Sequence, residues 1–194
     1  MTPTAAAPSR SRQTAEARRD ALVSAAVKHF ARTGLHGTAV SAITDEVGIT
    51  QPYAFSLFGT KKGLFLAAVE HCFDHLEQTF VAAADAAPEG ERLSAMGESY
   101  SALLADRDWL LLQQQAYAAC SDDDVRDVVR RRYARLYELV RDRSDTDAAG
   151  LTQFFAAGML MNVAAAMDLP TLIEGKEAWL SVCDPEAAAG PPDA

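Results

Sequence analysis

Gly48 stands between two short apolar patterns, and this arrangement constrains the fold more than any other feature of the chain. Before it, Val40, Ile43 and Val47 recur at i, i+3 and i+7; after it, Ala54, Leu57 and Phe58 share one face of a helix starting near Thr50. Thr38 is placed to cap the earlier helix and Thr50 the later one. Pro52 is tolerated in the first turn, where backbone N–H groups have no intrahelical partner. Upstream, ARRDALVSAAVKHFARTG repeats Leu22, Val23, Ala26, Val27, Phe30 and Ala31 at helical spacing and ends at Gly34, a C-cap. Helix, helix, glycine turn, helix is the outline of a helix-turn-helix. Gln51, Tyr53 and Ser56 then point outward near the start of the third helix. A Gln carboxamide can pair with adenine at two points, and a Tyr can reach a phosphate oxygen or a thymine methyl. Lys61 and Lys62 open a fourth helix, whose N-terminal dipole favours phosphate. Packed aromatics at Tyr53 and Phe55 beside a solvated Lys pair would account for the same spacing without DNA.

Charge supports the first reading. The net charge of -9 is unevenly divided: residues 1–62 hold 8 Lys and Arg against 4 Asp and Glu, and the remainder holds 10 against 23. Cations that displace condensed counterions from phosphates belong to the first segment only. The longest nearly apolar run, Phe154 to Met167, is broken by Asn162 and falls short of the roughly 20 residues a spanning helix takes. No secretory pattern opens MTPTAAAPSRSRQT, so a cytoplasmic protein without membrane partners is expected. The widely separated Cys72, Cys120 and Cys183 match neither a disulfide framework nor a zinc site.

GLHGTAVSAITDEVGITQPYAFSLFGTKKGLF, residues 34–65, resembles the N-terminal helix-turn-helix of the TetR (Tet repressor) family, without a gap. The resemblance implies that Thr38, Ser41, Thr50, Gln51, Tyr53 and Lys61 lie at or near DNA. Phe55 stands where the family usually has a Tyr contacting phosphate, and Ala39 where a Thr often begins the second helix. A double-stranded operator, a homodimer and a small-molecule effector are the partners it implies.

Beyond residue 65 only periodicity guides the reading. Helix four continues from Leu64 to Ala84; Arg92 to Ala105, Arg107 to Cys120, Val125 to Arg143, Ala148 to Met167 and Thr171 to Val182 read as helices five to nine. The expectation is an all-α protein: a tail over 1–14, the helix-turn-helix domain over 15–62, a larger ligand-binding and dimerisation domain over 63–185, and a second tail over 186–194. LTQFFAAGMLMNVAAAM is apolar nearly all round, so Phe155, Gly158, Asn162 and Ala165 are assigned to a dimer interface. Trp109, Gln113 and Tyr117 recur at i, i+4 and i+8, and with Phe154, Met159 and Met161 they form a candidate pocket for an uncharged or weakly polar effector.

His71 and His75, at i and i+4, have metal-ligand spacing but no identifiable third ligand. Asp122, Asp123 and Asp124 are better explained as helix capping than as a cation site. No phosphate loop or nucleophile elbow is present, so neither enzyme activity nor a cofactor is expected. The competing reading is a helical enzyme or metal-binding protein whose N-terminal bundle is only structural.

Overall fold

The computed structural model describes residues 10–169, with side chains from residue 15 onward. The ninth helix, Cys183 and the C-terminal tail of the sequence reading lie outside the described residues. Eight α-helices are present among them and no strand: α1 (Arg10–Gly37), α2 (Val40–Val47), α3 (Gln51–Phe58), α4 (Lys61–Ala86), α5 (Arg92–Leu103), α6 (Arg107–Ala118), α7 (Asp123–Arg143) and α8 (Ala148–Ala166).

Leu22, Ala26 and Phe30 of α1 are fully buried, as their spacing requires, and meet Ile43 of α2 and Ala54 of α3. Phe30 meets Phe65 of α4 edge to face, with centroids 5.0 Å apart, a pairing worth about 0.5–1.5 kcal/mol beyond its buried area. The same core takes in Leu64, Ala68 and Val69 of α4, Leu112 and Ala116 of α6, and Val125 of α7. Head and body are therefore packed as one piece. A second core, farther along α4, gathers Phe80, Met96, Tyr100, Leu136, Val140 and Leu151.

Two glycines shape the head. Gly48 adopts φ 71°, ψ 36°, a left-handed turn that bends the chain from α2 into α3. Gly34 has φ 66° and kinks α1 three residues before its last residue. A Cβ there would collide with the carboxamide of Gln115 on α6, so body and head touch at the kink.

The caps differ from expectation at two threonines. Ala39, not Thr38, occupies the N-cap of α2, while the Thr38 hydroxyl lies within hydrogen-bond distance of the carbonyls of Gly34 (2.7 Å) and His29 (3.2 Å). Thr50 holds the N-cap position of α3 with extended backbone but makes no side-chain cap bond. Asp122 does cap α7, accepting from the amides of Asp124 and Val125. Two α7 arginines reach across to α4, Arg132 to Asp74 (2.5 Å) and Glu77 (3.0 Å) and Arg135 to Glu77 (3.0 Å), while Arg126 pairs back with Asp123 (2.7 Å). By length and composition α8 could cross a membrane, with a mean hydropathy of 1.3, yet it packs on α5 and α6 through Leu151, Asn162, Ala164 and Ala165.

Candidate functional site

The outer surface of α3 keeps Gln51 and Ser56 exposed, Phe55 at 39% exposure and Tyr53 half-buried. Ser56 spends its hydroxyl on the Tyr53 carbonyl at 2.7 Å. Gln51 therefore leads this face, and Phe55 offers a ring without a hydroxyl. Beside it, Thr44, Asp45, Ile49, Thr50, Gln51, Pro52 and Phe55 border an open hollow between α2 and α3. Ser41 of α2 is half-buried.

Thr38 and Lys61 are both engaged within the head. Thr38 is 4% exposed and its hydroxyl is committed to α1, so its side chain has no free group facing outward. The Lys61 ammonium donates to the carbonyls of His36 (3.0 Å) and Thr38 (3.2 Å), bracing the α1–α2 corner. Lys62 points away from the head altogether: its ammonium lies 3.1 Å from Asp122 and 2.5 Å from Asp124 at the start of α7. Hydrogen bonds from Lys62 hold the Asp122 carboxyl below its ordinary value, and those to Asp124 and Asp122 push Lys62 up. On α2, Glu46 bridges back to Lys28 (3.2 Å) and His29 (2.9 Å), which hold its carboxyl low, Lys28 foremost.

The body encloses a cavity of about 110 Å³ between α4, α5, α6, α7 and α8. Gln113, Tyr117, Phe154, Met159 and Met161 line it, and so does none of the charged residue types. Trp109 does not. Its indole lies against His75 (4.7 Å between centroids) and His71 (5.4 Å) on the outside of α4. The i, i+4, i+8 stripe drifts around the helix, which carries Trp109 past the cavity edge. The two histidines thus have an aromatic neighbour, and among the described residues no three His, Cys, Asp or Glu gather as a metal set. Nearby, burial pushes the Cys72 thiol up to about 12.

The residues assigned to a dimer interface also turn inward. Phe155, Gly158 and Asn162 line the cavity, Asn162 being 1% exposed, and Ala165 is buried. A helix apolar on all sides gives no sign of which side meets its own body. The side that the described residues leave open carries Thr152, Ala156, Met159, Val163 and Met167, with Val163 at 44% and Met167 at 59% exposure. Sequence reasoning missed Tyr100, Tyr133 and Leu136 as cavity residues. Asn162, a lone amide inside an apolar run, was the visible signal that a polar group is needed there.

The family model described as "Bacterial regulatory proteins, tetR family" matches residues 22–68. No curated protein sequence matches the chain. Among solved structures, a transcriptional regulator from Pseudomonas aeruginosa PAO1 is 21% identical with a TM-score of 0.65, over 90% of this chain and 92% of that one. A TetR-like regulator from Rhodococcus sp. RHA1 is 20% identical with a TM-score of 0.63, over 89% and 94%. A cysteine mutant of the TetR family regulator CifR, complexed with 26-bp double-strand operator DNA, is 22% identical with a TM-score of 0.66, over 89% and 97%. Residues 22–68 thus match the tetR-family model of bacterial regulatory proteins, and the described helices share the all-helical fold of these solved regulators.

Proposed function

We propose that the protein is a dimeric transcriptional repressor that binds a palindromic operator through α3 and is released by a small molecule held in the body cavity. The observation that carries this reading is the α2–Gly48–α3 unit, whose outer face presents Gln51, Tyr53 and Phe55 on a net-basic segment of an acidic chain. The operator complex of the similarly folded CifR supports it. In a dimer, two such helices enter successive major grooves about 34–36 Å apart. The open side of α8 is the apolar surface available for the second copy, and burying Met159, Val163 and Met167 removes it from water.

Release follows from the packing. α6 lines the cavity with Gln113 and Tyr117 and meets the α1 kink through Gln115, while Lys62 ties α4 to α7. A ligand that binds better to the arrangement in which the heads are out of register draws the population to it. The lining has no charged side chain, so the effector is uncharged or weakly polar.

A mobility shift with DNA from the region upstream of the gene tests the reading. Binding that survives excess random competitor is the expected result. Binding that random DNA abolishes equally overturns it.

A further inference from the structure

Four of the cavity's five polar side chains form a single string, with Tyr133 outside it. The Tyr100 hydroxyl lies 2.5 Å from Asn162 Oδ1 and 3.3 Å from Gln113 Oε1, and Gln113 Nε2 donates to the Tyr117 hydroxyl at 2.8 Å. Among the described residues, Asn162 Nδ2 has only the Met159 sulfur, at 3.9 Å. One hydroxyl hydrogen cannot serve two acceptors, so the string settles into one of two directions, each reached by turning a carboxamide over in place. In the first, Tyr117 donates to Gln113, Gln113 to Tyr100 and Tyr100 to Asn162, which leaves the Asn162 N–H groups with a thioether alone. In the second, Asn162 donates to Tyr100, Tyr100 to Gln113 and Gln113 to Tyr117, which leaves the Tyr117 hydrogen unspent. Either way one end of the string keeps a donor without a good acceptor among the described residues.

Burial pushes Tyr100 up to about 12 and Tyr117 upward as well, so both hydroxyls keep their hydrogens at neutral pH. A buried donor without a good acceptor is costly, and an incoming acceptor relieves that cost. The volume limits the body of the ligand: a dry cavity of about 150 Å³ holds benzene, and this one is about 110 Å³, with Met159 at its exposed rim. The walls, among them Phe80, Leu136, Phe154 and Phe155, favour a flat apolar ring.

We propose that the effector is a neutral molecule the size of a single ring, bearing a hydrogen-bond acceptor such as a ketone or aldehyde oxygen that takes the unspent donor of the Asn162–Tyr100–Gln113–Tyr117 string. The inference rests on the cavity being the effector site. Its occupant also fixes the direction of the string, since an acceptor at the Asn162 end selects the first arrangement and one at the Tyr117 end the second.

Isothermal titration of the full chain without DNA, using acetophenone, ethylbenzene and benzoate, tests it. Acetophenone should bind, ethylbenzene about threefold to tenfold more weakly for want of the acceptor, and benzoate not measurably. Tyr100→Phe, Gln113→Leu, Tyr117→Phe and Asn162→Leu together keep the size of the lining and remove every donor of the string; in that variant, if folded, the preference for acetophenone should fall to within about twofold. Equal binding of acetophenone and ethylbenzene, tighter binding of benzoate, no binding of any, or an unchanged preference in the folded fourfold variant overturns the inference. The mobility shift is scored separately. A chain that discriminates as expected but binds no operator fails as a regulator while this assignment stands, and the converse result removes this assignment alone.

Discussion

At the scale of single residues, Gln51 and Lys61 have separable roles. Gln51 is exposed at the first position of α3 and makes no side-chain bond among the described residues that would hold it back. Gln51→Ala should lower the preference for the operator over random DNA by about 1–3 kcal/mol without changing the melting temperature. Lys61 differs, because its ammonium already serves two carbonyls at the α1–α2 corner. Lys61→Ala should weaken specific and random DNA alike and also lower stability by about 1 kcal/mol, read by thermal melting and by mobility shifts over a salt series. A variant that melts like the wild type but loses sequence preference would exchange the two assignments. Trp109→Ala should cost stability through the lost contacts with His71 and His75 and leave ligand release intact, since its ring lies outside the cavity.

At the scale of elements, the Lys62 bond to Asp122 and Asp124 ties the start of α4 to the start of α7. Its pH window follows from the directions of the shifts. The Asp122 carboxyl is depressed, so its contribution is present above the ordinary carboxylate value and lost as pH falls through the folded value. Lys62 is raised, so its contribution is present below the ordinary lysine value and lost as pH rises through the folded one. Asp122→Asn keeps a good N-cap and removes the charge. Denaturant titrations should show the variant less stable than wild type at pH 7, with the difference vanishing in acid; a constant difference would place the effect in capping alone. This tie was not legible in the sequence, where Lys62 sat beside Lys61 in the phosphate-binding reading. Helix starts and ends were legible, because glycine turns, caps and apolar period are local. α6 was expected at Arg107 to Cys120 and runs from Arg107 to Ala118 before a short 3-10 turn. Which distant carboxylate a lysine meets, or which side of α8 faces inward, depends on packing between elements more than 50 residues apart, and no local pattern records it.

At the scale of the molecule, assembly and cooperativity belong together. Val163→Arg puts a charge on the open side of α8 and touches neither the cavity lining nor α3. It should yield monomers by light scattering and cost operator affinity, while a dimer with full affinity would place the interface on another surface. Inside each copy, Leu112 of α6 sits fully buried in the core that also holds Phe30, Ile43 and Ala54 of the head. Leu112→Ala should cost about 2–5 kcal/mol, and the loss cannot be confined to the body. Head and body then inherit one melting transition: warming the variant should release operator DNA over the same few degrees in which its helices melt. On the proposed function, heat acts on the operator through the contacts an effector uses, and the temperature range of a working promoter is written into the core beneath α3.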